Sequence, residues 1–464
     1  DRDALERLAV AQGTWTTTGS FAQGRYLGTL TKLSDGRVLL AGGRSAHTII
    51  GSEQADLYDP ATQSWTAAAP MNLGRNLHAA ARLLDGRVLV AGGDAQGAGT
   101  DTVEIYDPAL NGWTQAAPMG TVRAGLRLAV LGDGRVLAAG GYDGSGYLSS
   151  AEIYDPAMNA WSPTASMGNG HHAPAMVTLR NGKVLVVGGW GDNATADVYD
   201  PATGAWTSAG SMNVPRYLPQ AVLLPDGKVL VTSGSGGSAP AQSADVYDPA
   251  TNTWTATGVM GVARYINAMV LVSGTPLVIG GESSSTDHDS TEYYDATTNS
   301  WLPGPSLTAT RTWPLAAALD DGTILVAGGV RGIGGAILNS AELLGMPAAQ
   351  IAATGVAVAD STTLTGTLDL TSAATGYWDA VVRSQARIAR LDAGFRVLTP
   401  AATSFVAVST DAAGTLVSSL PNETITPVST ASVAAAYGVA VDSQGLVLAL
   451  PFLYELSPSP VVFD

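Results

Sequence analysis

The sequence predicts an all-β protein made of repeated four-stranded antiparallel sheets closed into a ring. Three observations carry that reading. First, a short apolar run ending in a glycine pair recurs at Gly42-Gly43, Gly92-Gly93, Gly140-Gly141, Gly188-Gly189, Gly280-Gly281 and Gly328-Gly329, with a degraded copy at Ser233-Gly234. Second, a tyrosine follows at Tyr58, Tyr106, Tyr154, Tyr199, Tyr247 and Tyr294, and a tryptophan stands at Trp15, Trp65, Trp113, Trp161, Trp206, Trp254 and Trp301. Successive tryptophans are 45 to 50 residues apart, the period of propeller blades. Third, the repeat is out of phase with the chain ends. Trp15 precedes any other strand signal, while the last copy, Thr312 to Gly345, holds three strands and no tryptophan. The strand around Trp15 is therefore expected to complete a seventh blade, which removes two open sheet edges.

One unit, Asp85 to Arg123, justifies the elements in order. Asp85-Gly86 suits a tight hairpin turn. Val88 to Ala91 is an apolar run of strand length, ended by Gly92-Gly93. Val103-Glu104-Ile105-Tyr106 alternates as a half-buried strand does. Asp107-Pro108 breaks that strand, Asn111-Gly112 turns the chain, and Trp113 opens a fourth strand.

This pattern resembles the kelch repeat, and the resemblance spans residues from about 12 to 345. The DGRVLVAGG segment is most similar to secreted bacterial kelch proteins and to the propeller of the galactose oxidase family. The resemblance implies seven blades whose first strands line a central channel. Three regions follow: an N-terminal extension over 1–11, a propeller over 12–345 and a C-terminal β region over 346–464. The extension contains LERLAV, which has helical spacing but is too short to be stable alone.

After Gly345 the composition shifts to Thr, Ser, Ala and Val. Thr363 to Leu370, Tyr377 to Val382, and Ala389 to Val397 read as β-sandwich strands. LTGTLDLTSAATGYWDAVV with the later ARLDAGFRV resembles the second half of an immunoglobulin-like module of the IPT/TIG type. One sandwich or two small modules would both fit.

The chain has a net charge of -16 and only 23 Lys and Arg, which repels a phosphate backbone and excludes nucleic acid as a partner. It contains no cysteine, so disulfides, thiolate metal sites and cysteine nucleophiles are excluded. No uninterrupted apolar run reaches the length of a membrane helix. A start at Asp1 is what a removed signal peptide, or any other trimming, would leave. A secreted or cell-surface location is expected.

Candidate function follows from topology. Loops joining second to third strands share a face with the connections between blades, and they are uneven. They run over Arg44 to Gln54, Asp94 to Thr102, Tyr142 to Ser150, Trp190 to Thr195, Glu282 to Thr291 and Val330 to Asn339. Uneven loops on a rigid scaffold are where binding resides. On the same face the connections carry Arg25, Arg75, Arg123, His171, Arg216, Arg264 and Arg311, followed by Tyr26, Asn76, Ala124, His172, Tyr217, Tyr265 and Thr312. Two readings stand. The arginines could form a positive surface for a carboxylate-bearing, sugar or acidic peptide ligand, or they could tie adjacent blades together. His78, His171, His172 and Trp313 break the repeat and, with Trp190, complete the candidate binding set. Adjacent strand residues point to opposite faces, so His171 and His172 are not expected to share a metal ion. Asp287-His288-Asp289 with Glu282 could offer oxygen ligands to calcium or simply form a solvated acidic loop.

The galactose oxidase resemblance implies a copper site with two tyrosines, two histidines and a cysteine–tyrosine crosslink. Arg75-Asn76-Leu77-His78 stands where that family has Arg-x-Tyr-His before the turn. The histidine matches, but Leu77 replaces the tyrosine, and without cysteine the crosslinked radical cannot form. No catalytic residue, metal or cofactor is assigned. The sequence favours a non-catalytic binding or assembly protein that presents the variable face to a glycan or protein partner, with the C-terminal part mediating attachment. The rival is an extracellular lyase or hydrolase acting on a polysaccharide through His78, His171 or His172. On the binding reading, affinity is expected to survive replacement of His78 and His172 by alanine.

Overall fold

A computed structural model describes residues 13–345 apart from 192–193, 236–240, 273, 285 and 333, and beyond 345 it describes backbone strands alone. The short helix expected before residue 12 and the sandwich expected after residue 345 lie outside the described residues. Among the backbone strands there, Gly376–Arg383 pairs antiparallel with Ile388–Val397. Backbone contacts divide the chain into Val10–Met346 and a second unit holding Asp1–Ala9 and Pro347–Asp464.

The first unit is a seven-bladed propeller. Blade 1 is the meander Thr29–Lys32, Val38–Ala41, Ala55–Asp59 and Ser64–Ala67, and five further sheets repeat it. In blade 7, Leu315–Ala318, Ile324–Ala327 and Ala341–Gly345 take their fourth strand from the N-terminal Thr14–Thr18, with Trp15 opposite Leu344. The phase of the repeat thus closes the ring as expected. Each blade's first strand lies against the first strands of its two neighbours, including Leu315–Ala318 against Thr29–Lys32, so seven first strands wall the channel.

Position in the blade explains composition. A second strand is flanked by strands on both sides and covered by blades on both faces, so VLLA, VLVA, VLAA and VLVV are buried throughout. Fourth strands lie at the rim, and SWTA runs from half-buried to exposed. The repeated tryptophan and tyrosine are joints between these layers. The Tyr106 ring meets Trp113 at 5.1 Å, and the tyrosine hydroxyl donates to Asn111 Oδ1 at 2.9 Å. Asn111 holds the turn at φ 46, a left-handed conformation that asparagine tolerates. Trp113 Nε1 donates to the Ala69 carbonyl of the preceding blade at 2.7 Å, and Trp161 does the same to Ala117 at 2.9 Å.

Candidate functional site

The connections between blades build the channel mouth, and the arginine ring is its foundation. Arg75 accepts a hydrogen bond from Gly43 N of blade 1 through its backbone carbonyl, at 2.9 Å. Its guanidinium reaches into blade 2, donating to the Gly92 and Thr102 carbonyls, both at 2.9 Å, and to Glu104 Oε1 at 2.9 Å. Arg123, Arg264 and Arg311 repeat these bonds with Glu152, Glu292 and Glu342, and Arg216 pairs with Asp245. Arg25 closes the circle: its carbonyl accepts from Gly329 N of blade 7 and its guanidinium pairs with Asp56 of blade 1.

This corrects one of the two expectations. Arg25, Arg75, Arg123, Arg216, Arg264 and Arg311 are at most 1% exposed. They are not a positive surface for ligand, because each guanidinium is buried against a carboxylate, and all but that of Arg25 also donate to backbone carbonyls. They tie adjacent blades. Burial lowers their pKa values and the paired carboxylates oppose that shift.

His171 takes the arginine position before blade 4. It is fully buried, and its Nδ1 is 2.8 Å from the Gly188 carbonyl. Its Nε2 lies 3.5 Å from Asp197 Oδ2, and neither atom has a hydrogen-bond partner. His171 is therefore not a surface ligand either. His78 is 4% exposed, with Nε2 3.0 Å from Thr29 Oγ1. Enclosure and the nearby Arg75 push its pKa down to about 3.

The residue after each node points the other way. Tyr26, Asn76, Ala124, Tyr217, Tyr265 and Thr312 form bridges to Arg44, Asp94, Tyr142, Ser235, Glu282 and Val330, and His172 pairs with Trp190. Each bridge partner directly follows a strand-ending Gly-Gly pair or its Ser-Gly copy. A Cβ on Gly43 would stand 2.6 Å from the Tyr26 carbonyl, which is why the pair's second residue is glycine. One position further, Leu27, Leu77, Gly125, Ala173, Leu218, Ile266 and Trp313 all have φ between 50 and 65. Six non-glycine residues there carry strain of about 1–3 kcal/mol each, held by bonds between blades. Leu77 N donates to Leu27 O at 3.1 Å, Gly125 N to Leu77 O at 2.8 Å, and Ala173 N to Gly125 O at 2.8 Å. The left-handed turn swings the chain from the node into the channel-lining strand.

Over blades 3 to 5 this arrangement brings aromatic rings together. The Tyr147 and His172 rings stack at 5.9 Å and 3°, and Tyr142 meets each of them, at 5.8 Å and 5.9 Å. His172 meets Trp190 at 5.2 Å, and Trp190 stacks on Tyr217 at 5.7 Å and 22°. Tyr142 and Tyr147 are 36% and 48% exposed, and His172, Trp190 and Tyr217 are half-buried. Burial and Arg127 push the His172 pKa down to about 4, which leaves a neutral ring in the row. Of the residues singled out in the sequence, His172, Trp190 and Tyr217 come together here. Tyr26 is mostly buried and meets His47 at 6.3 Å. Tyr265 is turned to Glu282, and burial together with that carboxylate pushes its hydroxyl up to about 12. Trp313 is half-buried, two blades on from Tyr217 at the end of the row.

Tyr142, Tyr147 and Arg127 were not among the candidate residues. Tyr142 and Tyr147 lie in a loop flagged only as variable. Arg127 would have stood out had the repeats been aligned at their first strands, since the equivalent residues are Thr29, Ala79, Ala175, Gln220, Ala268 and Leu315. Below the mouth a cavity of about 440 Å³ is lined by Leu30, Met176, Val222, Leu271 and Ala317, with Lys32 its charged residue. Asp287 accepts from the Gly332 backbone of blade 7. No group of three or more His, Cys, Asp or Glu among the described residues could hold a metal.

Seven sheets, a closing N-terminal strand and a mouth built from inter-blade connections define a β-propeller with one elaborated face. A kelch motif model matches residues 75–120, 126–168, 175–213 and 269–308, so the chain carries kelch motifs in that propeller. No curated protein sequence matches. A similar solved structure, described as a novel fungal alcohol oxidase with catalytic diversity among the AA5 family, in complex with copper, aligns with a TM-score of 0.65. It is 18% identical, over 96% of this chain and 98% of that one, a likeness of fold. The residues here do not gather around such a copper ion: His78 is enclosed against Thr29, Leu77 stands where the resemblance would call for a tyrosine, and His171 is fully buried while His172 joins the row.

Proposed function

We propose that this propeller is a non-catalytic binding protein that takes a glycan on the aromatic row of blades 3 to 5, working outside the cell or at its surface. In this reading the region after residue 345 mediates attachment. The observation that carries it is the row itself, in which Tyr147, His172, Trp190 and Tyr217 form two stacked pairs joined through His172. A pyranose has one face of C–H groups, which suits the electron-rich faces of aromatic rings. Kelch propellers commonly mediate protein interactions, so a protein partner on this face is the coarser form of the same reading.

A glycan array with the intact chain and its Trp190→Ala and Tyr217→Ala variants tests it. Binding by the wild type and loss in both folded variants supports the reading, while a blank array, or binding indifferent to both changes, removes it. Product analysis in the same screen tests the rival hydrolase or lyase. Of the three histidines on which that rival could draw, His78 and His171 are enclosed and His172 is half-buried. The earlier expectation for alanine variants is therefore divided. Replacing His78 should spare binding, and replacing His172 should weaken it.

A further inference from the structure

The six node arginines are all matched by carboxylates, but one arginine at the channel mouth is not. Arg127 opens the first strand of blade 3, Arg127–Val130, and makes no ion pair among the described residues. Its one hydrogen bond runs from Nη1 to the Leu126 carbonyl at 3.1 Å. Burial alone acts on it, pushing its pKa down to about 10, with no carboxylate holding it up. The neighbourhood explains why. The four residues after each node are 26–29, 76–79, 124–127, 172–175, 217–220, 265–268 and 312–315, and they contain no Asp or Glu. In a chain with 39 acidic residues and a net charge of -16, these seven segments hold one guanidinium and no carboxylate, while the acids of the same face stand further out and already have partners, Asp94 beside Arg44 and Glu282 beside Tyr265. The equivalent residues in the flanking blades are the small, uncharged Ala79 and Ala175.

Arg127 also adjoins the aromatic row. His172 feels its charge, and the His172 ring lies over Gly125, where a Cβ would stand 2.5 Å from Nε2. Glycine at 125 lets the ring settle over the backbone two residues before Arg127. A ligand seated on the row therefore has the guanidinium at its channel-side edge.

We propose that Arg127 is the carboxylate-binding residue of this face, and that the ligand is an acidic glycan. A uronate sugar stacks on His172 and Trp190 and turns its carboxylate into the mouth, onto the guanidinium fork. This rests on the glycan reading above and names its ligand class. A carboxylate here supplies the partner that the other arginines already have, and no Asp or Glu among the described residues pairs with this guanidinium to compete for it. The paired aromatic faces favour a sugar over an acidic peptide side chain, which would use the charge and leave the rings uncovered.

The test is equilibrium binding of the full chain to galacturonan and mannuronan oligosaccharides, each as the free acid and as the methyl ester, with poly-glutamate as the peptide probe. The acid forms should bind about tenfold tighter than the esters, or more. That difference should vanish in Arg127→Gln and survive in part in Arg127→Lys, which keeps the charge and loses the fork. Should Arg127→Gln fail to fold, the acid–ester difference in the wild type and its reduction in Arg127→Lys carry the test. Equal binding of acid and ester, unchanged by either variant, overturns this inference and leaves the glycan reading standing. Binding of neither form overturns both. Preference for poly-glutamate over every uronate overturns the ligand class.

Discussion

His171 Nε2 stands 3.5 Å from Asp197 Oδ2 with no hydrogen bond between them, at the one node where histidine replaces arginine. At Arg75, Arg123, Arg216, Arg264 and Arg311 the same joint closes at 2.7 to 3.0 Å. A side chain too short to span the gap leaves two buried polar atoms unsatisfied, which costs stability.

Replacing His171 by arginine should therefore stabilise the protein, by about 1–2 kcal/mol if the guanidinium reaches Asp197. Blade 5 gives the precedent, since Arg216 closes on an aspartate, Asp245, at 2.9 Å. Urea unfolding of His171→Arg against wild type measures it. A lower midpoint would mean that the shorter blade 4 loop cannot admit the larger head.

Breaking an intact node should do the reverse. Arg75→Ala leaves the buried Glu104 carboxylate with backbone donors alone, from Asn72 at 2.7 Å and Leu73 at 3.2 Å, apart from the Asn72 side chain, and takes a guanidinium donor from the Gly92 and Thr102 carbonyls. Removing one partner of a buried ion pair costs about 3–5 kcal/mol. The double variant Arg75→Met with Glu104→Met should recover part of the loss. No recovery would show that the carbonyl bonds, and not the charge pair, dominate.

Acid should weaken the fold through His78. Its folded pKa is about 3 against an ordinary 6.5, so below pH 6.5 the unfolded chain binds a proton that the folded chain refuses. This contribution is intact above 6.5 and is lost as the pH falls toward 3. His172, at about 4, acts with the same sign. His78→Gln should show a smaller fall in urea midpoint between about pH 7 and pH 5 than wild type does. Equal falls in both would remove His78 as a source of acid sensitivity.

Deleting residues 1–18 should open the ring. Blade 7 would lose Thr14–Thr18 and with it the bond from Trp15 Nε1 to the Pro305 carbonyl at 2.9 Å. The strand Ala341–Gly345 would become a free edge, which invites association. Light scattering and thermal unfolding should report aggregation and a lower melting temperature. A monomer of unchanged stability would mean that closure by this strand is dispensable.

The repeat made most of the propeller readable. Trp15 out of phase, and Thr312 to Gly345 without a tryptophan, were enough to place the closing strand, because each blade is a local meander whose period survives in the chain. The alternation of strand side chains also separated His171 from His172 in advance. The fate of the arginines was not readable. A periodic arginine looks the same whether it faces solvent or a carboxylate, and the partners Glu104 and Glu152 lie 29 residues downstream of Arg75 and Arg123.

By itself, then, the sequence determined the class, the blade count, the manner of closure and the face that carries variation, all of which follow from local periodicity. Tertiary structure decided which residues of that face act together. Tyr147, His172, Trp190 and Tyr217 come from two blades and two connections, and only the curvature of the ring brings their rings within 6 Å. The same holds for Arg127. Its significance lies in having no acid near it in space, and the fold is what decides which residues are near.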